Sequence, residues 1–148
     1  MIVKDSIKIK TTPKRIFDGL IRIFSSQEQY KKWHKDHVKC QWLKGNPFEE
    51  GSILYIEEYL HGKLHKMKFL ITKLNANRKI EYNLLFPESI ICPNGSFIIK
   101  PKKGYCIFTA TLSFRFGGLL SKLMPARFNA LKKHMKEEGK NLKKILEK

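Results

Sequence analysis

The chain has 148 residues, with 30 Lys and Arg against 13 Asp and Glu, a formal charge of +17 and 42% hydrophobic residues. A chain this long can bury roughly 70% of its unfolded surface, so it needs neither disulfide nor metal to fold, and apolar residues along its whole length exclude disorder. No apolar run approaches the ~20 residues of a membrane-spanning helix, and residues 1–10 alternate polar and apolar side chains instead of forming a signal peptide, so a cytoplasmic location is expected.

Residues 2–10 set Val3, Ile7 and Ile9 against Lys4, Lys8 and Lys10, the period of a half-buried strand. Thr12-Pro13 opens a helix. Thr12 can cap it, Pro13 suits the first helical position, and Ile16, Phe17, Leu20, Ile21 and Phe24 recur at helical spacing. Ser26 and Gln29 have the capping-box spacing of a second, short helix, with Tyr30 and Trp33 on one face.

His34, Asp36, His37 and Cys40 form H-x-D-H-x-x-C, which invites a metal reading. The spacing lacks the second pair of ligands that a closed zinc site shows, and these residues straddle a helix end and a strand start. No metal and no cofactor is expected. The three cysteines, Cys40, Cys92 and Cys106, form no C-x-x-C pair and read as reduced, buried thiols.

From Val38 to Phe116 the period is two, and six antiparallel strands are expected at 38–44, 52–61, 64–74, 79–86, 95–101 and 104–116. Register decides which face is inside. With Gly62-Lys63 as a two-residue turn, Leu54, Ile56, Glu58 and Leu60 face Ile71, Phe69, Met67 and His65. The opposite face pairs Glu57 with Lys68 and Tyr59 with Lys66, which suits solvent. A turn at Ala76-Asn77 places Tyr82, Leu84 and Phe86 against Ile71, Phe69 and Met67 on the same concealed side. A turn at Lys102-Lys103 sets Phe97 and Ile99 against Phe108 and Cys106, with Ala110, Leu112, Phe114 and Phe116 continuing that face. Strand 38–44 adds Val38, Cys40 and Trp42.

The segment 84–92 contains Pro87 and reads as an apolar loop at one end of the sheet, which can serve as a lid or cap the core; a core cap is expected. Residues 119–148 return to helical spacing through Leu120, Met124, Phe128, Leu131, Met135, Leu142, Ile145 and Leu146. One long helix is expected, with a gap beside Gly139. No repeat or linker divides the chain, so a single domain over 1–148 is the simplest partition.

The stretches Asp5-Ser-Ile-Lys-Ile-Lys-Thr-Thr-Pro-Lys-Arg-Ile-Phe17, Tyr30-Lys-Lys-Trp33 and Gly95-Ser-Phe-Ile-Ile-Lys-Pro101, with the helix after Gly117-Gly118, follow a characteristic order. Strand, two short helices, meander and long helix together resemble the START-like (SRPBCC) helix-grip superfamily, which includes birch-pollen-allergen-like and polyketide cyclase/dehydrase-like proteins. The resemblance covers the whole chain. It implies an α+β fold in which a curved seven-stranded antiparallel sheet wraps around the C-terminal helix and leaves an apolar cavity between them. Lipids, sterols, plant hormones and polyketides bind there in that superfamily, and a minority of its members catalyse cyclisation or dehydration.

The expected lining is Trp42, Ile56, Glu58, His65, Met67, Phe69, Tyr82, Phe97, Phe108 and Phe114 from the sheet, with Met124, Phe128, Leu131 and Met135 from the helix. The same side chains can equally fill their own space, so a solid core is the alternative to a ligand cavity. Glu58 stands on the concealed face, diagonal to His65; such a pair can be a satisfied structural pair or lie near the sheet edge, anchor a ligand headgroup, or act as general acid and base. A hydrophobic or amphipathic small molecule is therefore the expected partner, bound without a covalent step. A cyclase- or dehydratase-like enzyme using Glu58 and His65 is the alternative. Only five of the basic residues are Arg and the Lys residues are scattered, which favours a solvated surface with transient anionic membrane contact; a basic adaptor that contacts nucleic acid or anionic membrane is the second alternative. The sequence is silent on oligomeric state.

Overall fold

A computed structural model describes residues 1–147; Lys148, at the end of the expected helix, lies outside the described residues. The elements in chain order are β1 (Ile2–Ile9), α1 (Pro13–Ser25), α2 (Gln27–Trp33), β2 (His37–Lys44), β3 (Ile53–Leu60), β4 (Lys63–Asn75), β5 (Lys79–Leu84), a 3-10 turn (Glu88–Ile90), β6 (Asn94–Pro101), β7 (Cys106–Ser113), α3 (Gly117–Leu123) and α4 (Pro125–Leu146). The seven strands form one antiparallel sheet in the order β1-β7-β6-β5-β4-β3-β2. The sheet wraps around α4, as the helix-grip resemblance implies. Among the described residues no helix is long and apolar enough to cross a membrane.

The two short helices start where their caps dictate. The Thr12 side chain accepts the Arg15 N–H and the Ser26 side chain accepts the Gln29 N–H, so each helix satisfies one of its orphaned first-turn donors. Helix α1 buries Ile16, Leu20, Ile23 and Phe24 against the closed end of the sheet, and α2 adds Tyr30 and Trp33. Leu142 and Leu146 of α4 join this main core. A smaller cluster of Val3, Phe128 and Met135 lies at the other end of α4, packed with Leu112, Phe114, Leu120 and Leu131.

The concealed face is the expected one, but the turns that set it differ. The β3–β4 turn is His61-Gly62, not Gly62-Lys63. Both residues have positive φ, 52° and 73°, as a type I′ turn requires, and Leu60 pairs with Lys63. Every β3–β4 partner is therefore displaced by two from the expected register, with Glu58 opposite His65 and Ile56 opposite Met67. A shift of two preserves the face because side chains alternate with period two. The β6–β7 connection likewise spans residues 102–105, pairing Ile99 with Phe108 and Phe97 with Ala110. Between β4 and β5 the expected pairs Ile71–Tyr82 and Phe69–Leu84 do form, but the register shifts between Ile71 and Lys73 because residues 76–78 make a longer loop than two.

Three further expectations are corrected. The C-terminal segment is two helices, because Pro125 supplies no N–H and forces the preceding Met124 out of helical geometry (φ −133°, ψ 57°). Gly139 marks close packing instead of a gap: a Cβ there would sit 3.2 Å from Asp5 Oδ2 and 3.5 Å from Ile7 Cγ2, so β1 has taken the space. Strand β5 ends at Leu84 and β7 at Ser113, which leaves Phe86 and Phe116 pointing outward at 78% and 67% exposure.

Candidate functional site

A cavity of about 520 Å³ lies between the sheet and the N-terminal half of α4. Ile56, Met67, Phe69, Tyr82, Phe97 and Phe114 form its sheet wall; Met124, Phe128, Leu131 and Met135 form its helix wall. Glu58 and His65 also line it. Trp42 and Phe108 do not. Trp42 packs edge-on against Phe48 and donates its indole N–H to the Phe24 carbonyl at 2.8 Å, while Phe108 is buried behind Phe97 with ring centroids 5.6 Å apart. Gly95 gives Tyr82 its place, since a Cβ there would lie 2.6 Å from the phenol oxygen. The segment 84–92 contributes Pro87, Ile91 and Cys92 to the rim while Phe86 and Ile90 face outward, so it borders the cavity mouth instead of capping the core.

The inner end of this apolar space is polar. Glu58, 8% exposed, accepts the Tyr30 hydroxyl at 3.1 Å, and its Oε2 lies 3.5 Å from His37 Nε2 and 3.6 Å from His134 Nε2. Glu138 Oε2 lies 2.8 Å from His37 Nε2 and 3.3 Å from His134 Nε2, and the two imidazole Nε2 atoms are 3.4 Å apart. His65, directly across from Glu58 on the neighbouring strand, is not among its partners, so the expected Glu58–His65 pair is replaced by Glu58 with His37 and His134.

Local folding explains each position. The β2–β3 register shifts between His37 and Lys39, so Val38 is bulged and His37, not Val38, takes the inward place opposite Glu58. His37 stacks on Tyr30 with centroids 4.0 Å apart and planes 5° from parallel, and its Nδ1 donates to the Tyr30 carbonyl at 3.0 Å. Helix α4 is tied to α2 from both sides: Trp33 Nε1 donates to the Glu138 carbonyl at 2.9 Å, and Asn141 Nδ2 donates to the Trp33 carbonyl at 2.8 Å. That grip holds His134 and Glu138, one helical turn apart, toward the cavity.

Only His37 of the H-x-D-H-x-x-C residues enters the cluster. His34 accepts the Asp36 N–H at Nδ1 (2.9 Å) and bonds Glu137 through Nε2 (3.1 Å), which holds the Glu137 carboxyl below its ordinary range. Cys40 Sγ donates to the Phe24 carbonyl at 3.3 Å, and burial pushes its thiol up to about 12.

The cluster is strongly polarised. Burial works against charge on His134, but hydrogen bonds and the negative field of Glu138 and Glu58 outweigh it and hold the imidazole up at about 11. Burial also works against charge on Glu138, and hydrogen bonds from His134 and His37 prevail, holding the carboxyl down at about 2. Tyr30 is raised well above 10 by burial and by the nearby Glu58 and Glu138. The Nδ1 of His134 is buried without a partner. Two members are visible in the sequence, Glu58 on the concealed face of its strand and His37 in the H-x-D-H-x-x-C run, but nothing in the sequence joins them. The i, i+4 pair His134/Glu138 was a signal in the sequence of α4, masked by the surrounding Lys and Glu residues.

No protein-family model and no curated protein matches the chain. Solved structures do. The Zhui aromatase/cyclase from Streptomyces sp. R1128 superposes with TM-score 0.75 at 11% identity, over 99% of this chain and 93% of that one. The TTHA0849 protein of Thermus thermophilus gives 0.72 at 17% identity, over 99% and 97%. Norcoclaurine synthase from Thalictrum flavum, solved with dopamine and hydroxybenzaldehyde, gives 0.73 at 8% identity, over 98% and 85%. The chain thus has the helix-grip fold of these proteins, with the seven-stranded sheet and long terminal helix they share.

Proposed function

We propose that this helix-grip protein binds an apolar or amphipathic small molecule in the cavity between its sheet and α4, apolar body among the aromatic side chains and polar group toward Glu58, His37 and His134. The observation that carries this is the space itself: about 520 Å³ walled by apolar side chains, within the range of small-molecule sites, with convergent polar groups at one end. Exposed Phe86, Ile90, Leu119 and Leu123 adjoin in sequence the lining residues Pro87, Ile91, Leu120 and Met124, and with the +17 charge they support collection of that molecule from an anionic membrane surface.

The test is titration with the apolar fluorophore 1-anilinonaphthalene-8-sulfonate. The intact protein is expected to bind one equivalent saturably. Leu131→Trp, which places an indole into the cavity from α4, is expected to weaken binding at least tenfold while the folded far-UV spectrum is kept. Undiminished binding by that variant refutes the reading.

A second reading, an enzyme of the cyclase or dehydratase kind, draws on the buried acid–imidazole cluster facing the cavity, with Glu58 and His134 as acid and base in place of Glu58 and His65. Glu58→Gln separates the two, because binding persists in the first and turnover collapses in the second.

A further inference from the structure

We propose that His37, Glu58, His134 and Glu138 form a binding site for one divalent transition-metal ion, with Zn2+ the best match to its geometry. Four atoms with lone pairs, His37 Nε2, His134 Nε2, Glu58 Oε2 and Glu138 Oε2, converge from three separate elements, β2, β3 and α4, and all lie within 4.8 Å of one another. A tetrahedral ion with bonds of about 2.0–2.1 Å keeps its donors about 3.3–3.4 Å apart. Five of the six separations are 2.8, 3.3, 3.4, 3.5 and 3.6 Å, scattered about that edge length, and the sixth, between the two carboxylates, is within 4.8 Å. Unconstrained N–H···O bonds run from about 2.7 to 3.2 Å, and four of these five contacts are longer than that range.

The donor chemistry points the same way. The Tyr30 carbonyl can only accept, so His37 Nδ1 carries a proton, and in the neutral imidazole the Nε2 lone pair faces two carboxylates and another imidazole. That arrangement needs positive charge at the centre, either protons or a metal ion. A carbonyl that fixes the tautomer of one imidazole, and a phenol donating to a ligating carboxylate, are the supports that metal ligands use. Two imidazoles and two carboxylates suit Zn2+ over the harder Mg2+ and Ca2+, which prefer oxygen alone. The competing trio His34, His37 and His134 is less suited, since both nitrogens of His34 are already engaged.

The site sits in the inner wall of the cavity but does not depend on what the cavity holds, so fluorophore binding and metal binding can fail independently. The whole chain, stripped with dipicolinate and exchanged into metal-free buffer, is titrated with Zn2+ against a chromogenic chelator. One equivalent is expected to bind and to raise Tm, and Co2+ in its place is expected to give the intense visible absorption of a four-coordinate site. Loss of outer-shell partners typically costs 10–100-fold in metal affinity, so loss of a ligand in Glu58→Gln or Glu138→Gln should cost at least about 100-fold. Failure of the stripped wild-type protein to bind a stoichiometric ion, a six-coordinate Co2+ spectrum, or equal Zn2+ affinity in wild type and folded variants each overturns the site. Should both variants fail to fold, the Co2+ spectrum of the wild type decides alone.

Discussion

At the scale of single residues, the metal-free cluster makes stability depend on pH at both ends of the scale. Glu138 is held at about 2 in the fold against an ordinary 4.5, so its contribution is complete above 4.5 and disappears as pH falls through about 2. His134 is held at about 11 against 6.5, so its contribution is complete below 6.5 and is lost as pH rises through about 11. Both are fully present only between about pH 4.5 and 6.5. In chelator-treated protein the Tm is expected to peak in that window, and Glu138→Gln is expected to flatten the acid limb. A Tm profile in which the variant and wild type lose stability in parallel below pH 4.5 would count against this assignment.

Among the elements, α4 shows how far pattern alone carries. Gly139 replaces a better helix former by about 1 kcal/mol of propensity, and its reason is contact with β1. The nearest atom to an added Cβ is a carboxylate oxygen of the half-exposed Asp5, which can move by a few tenths of an ångström. Gly139→Ala is therefore expected to raise stability by up to about 1 kcal/mol in urea unfolding, whereas Gly139→Leu, which must displace Ile7 as well, is expected to lower it by about 1–3 kcal/mol. The concealed face of the sheet was legible because alternation is insensitive to the very errors made in the turns: displacement by two residues left Glu58, Met67 and Phe69 inside. What alternation cannot express is a bulge. Val38 fits the strand pattern, but the extra residue hands its inward place to His37, so the partner that faces Glu58 across β2 and β3 is hidden from that pattern. Trp42 and Phe108 share the correct face yet lie under α1 or behind Phe97, because a face includes both cavity wall and solid core. The other half of the cluster, His134 and Glu138, is contributed by a helix whose approach to β2 and β3 is a tertiary fact, set by Trp33 and Asn141.

Across the whole molecule, exposed apolar side chains adjoin in sequence several residues that line the cavity. Phe86, Leu119 and Leu123 are 78%, 60% and 68% exposed, and Arg115, Lys122 and Arg127 stand in the same stretch of chain as the two leucines. Basic residues near an anionic leaflet contribute about 1 kcal/mol each at low salt, and the exposed rings and branched chains add burial once contact is made. Co-sedimentation with vesicles of phosphatidylglycerol and phosphatidylcholine is expected to be strong in dilute buffer, to fall as salt is raised, and to drop at least severalfold in Phe86→Ser/Leu123→Ser. Equal sedimentation with pure phosphatidylcholine vesicles would rule out a role for the charge.

The junction at Met124-Pro125 bears on how the proposed ligand would reach the cavity. The Met124 N–H bonds back to Leu120 within α3, and the Met124 carbonyl receives the Phe128 N–H as the opening bond of α4. Proline has no amide hydrogen to bridge the two segments. Rotation about the Met124 backbone can thus swing α3 like a door on its jamb with every hydrogen bond of both helices left closed, and the far end of α4, anchored by Leu142 and Leu146, stays where it is.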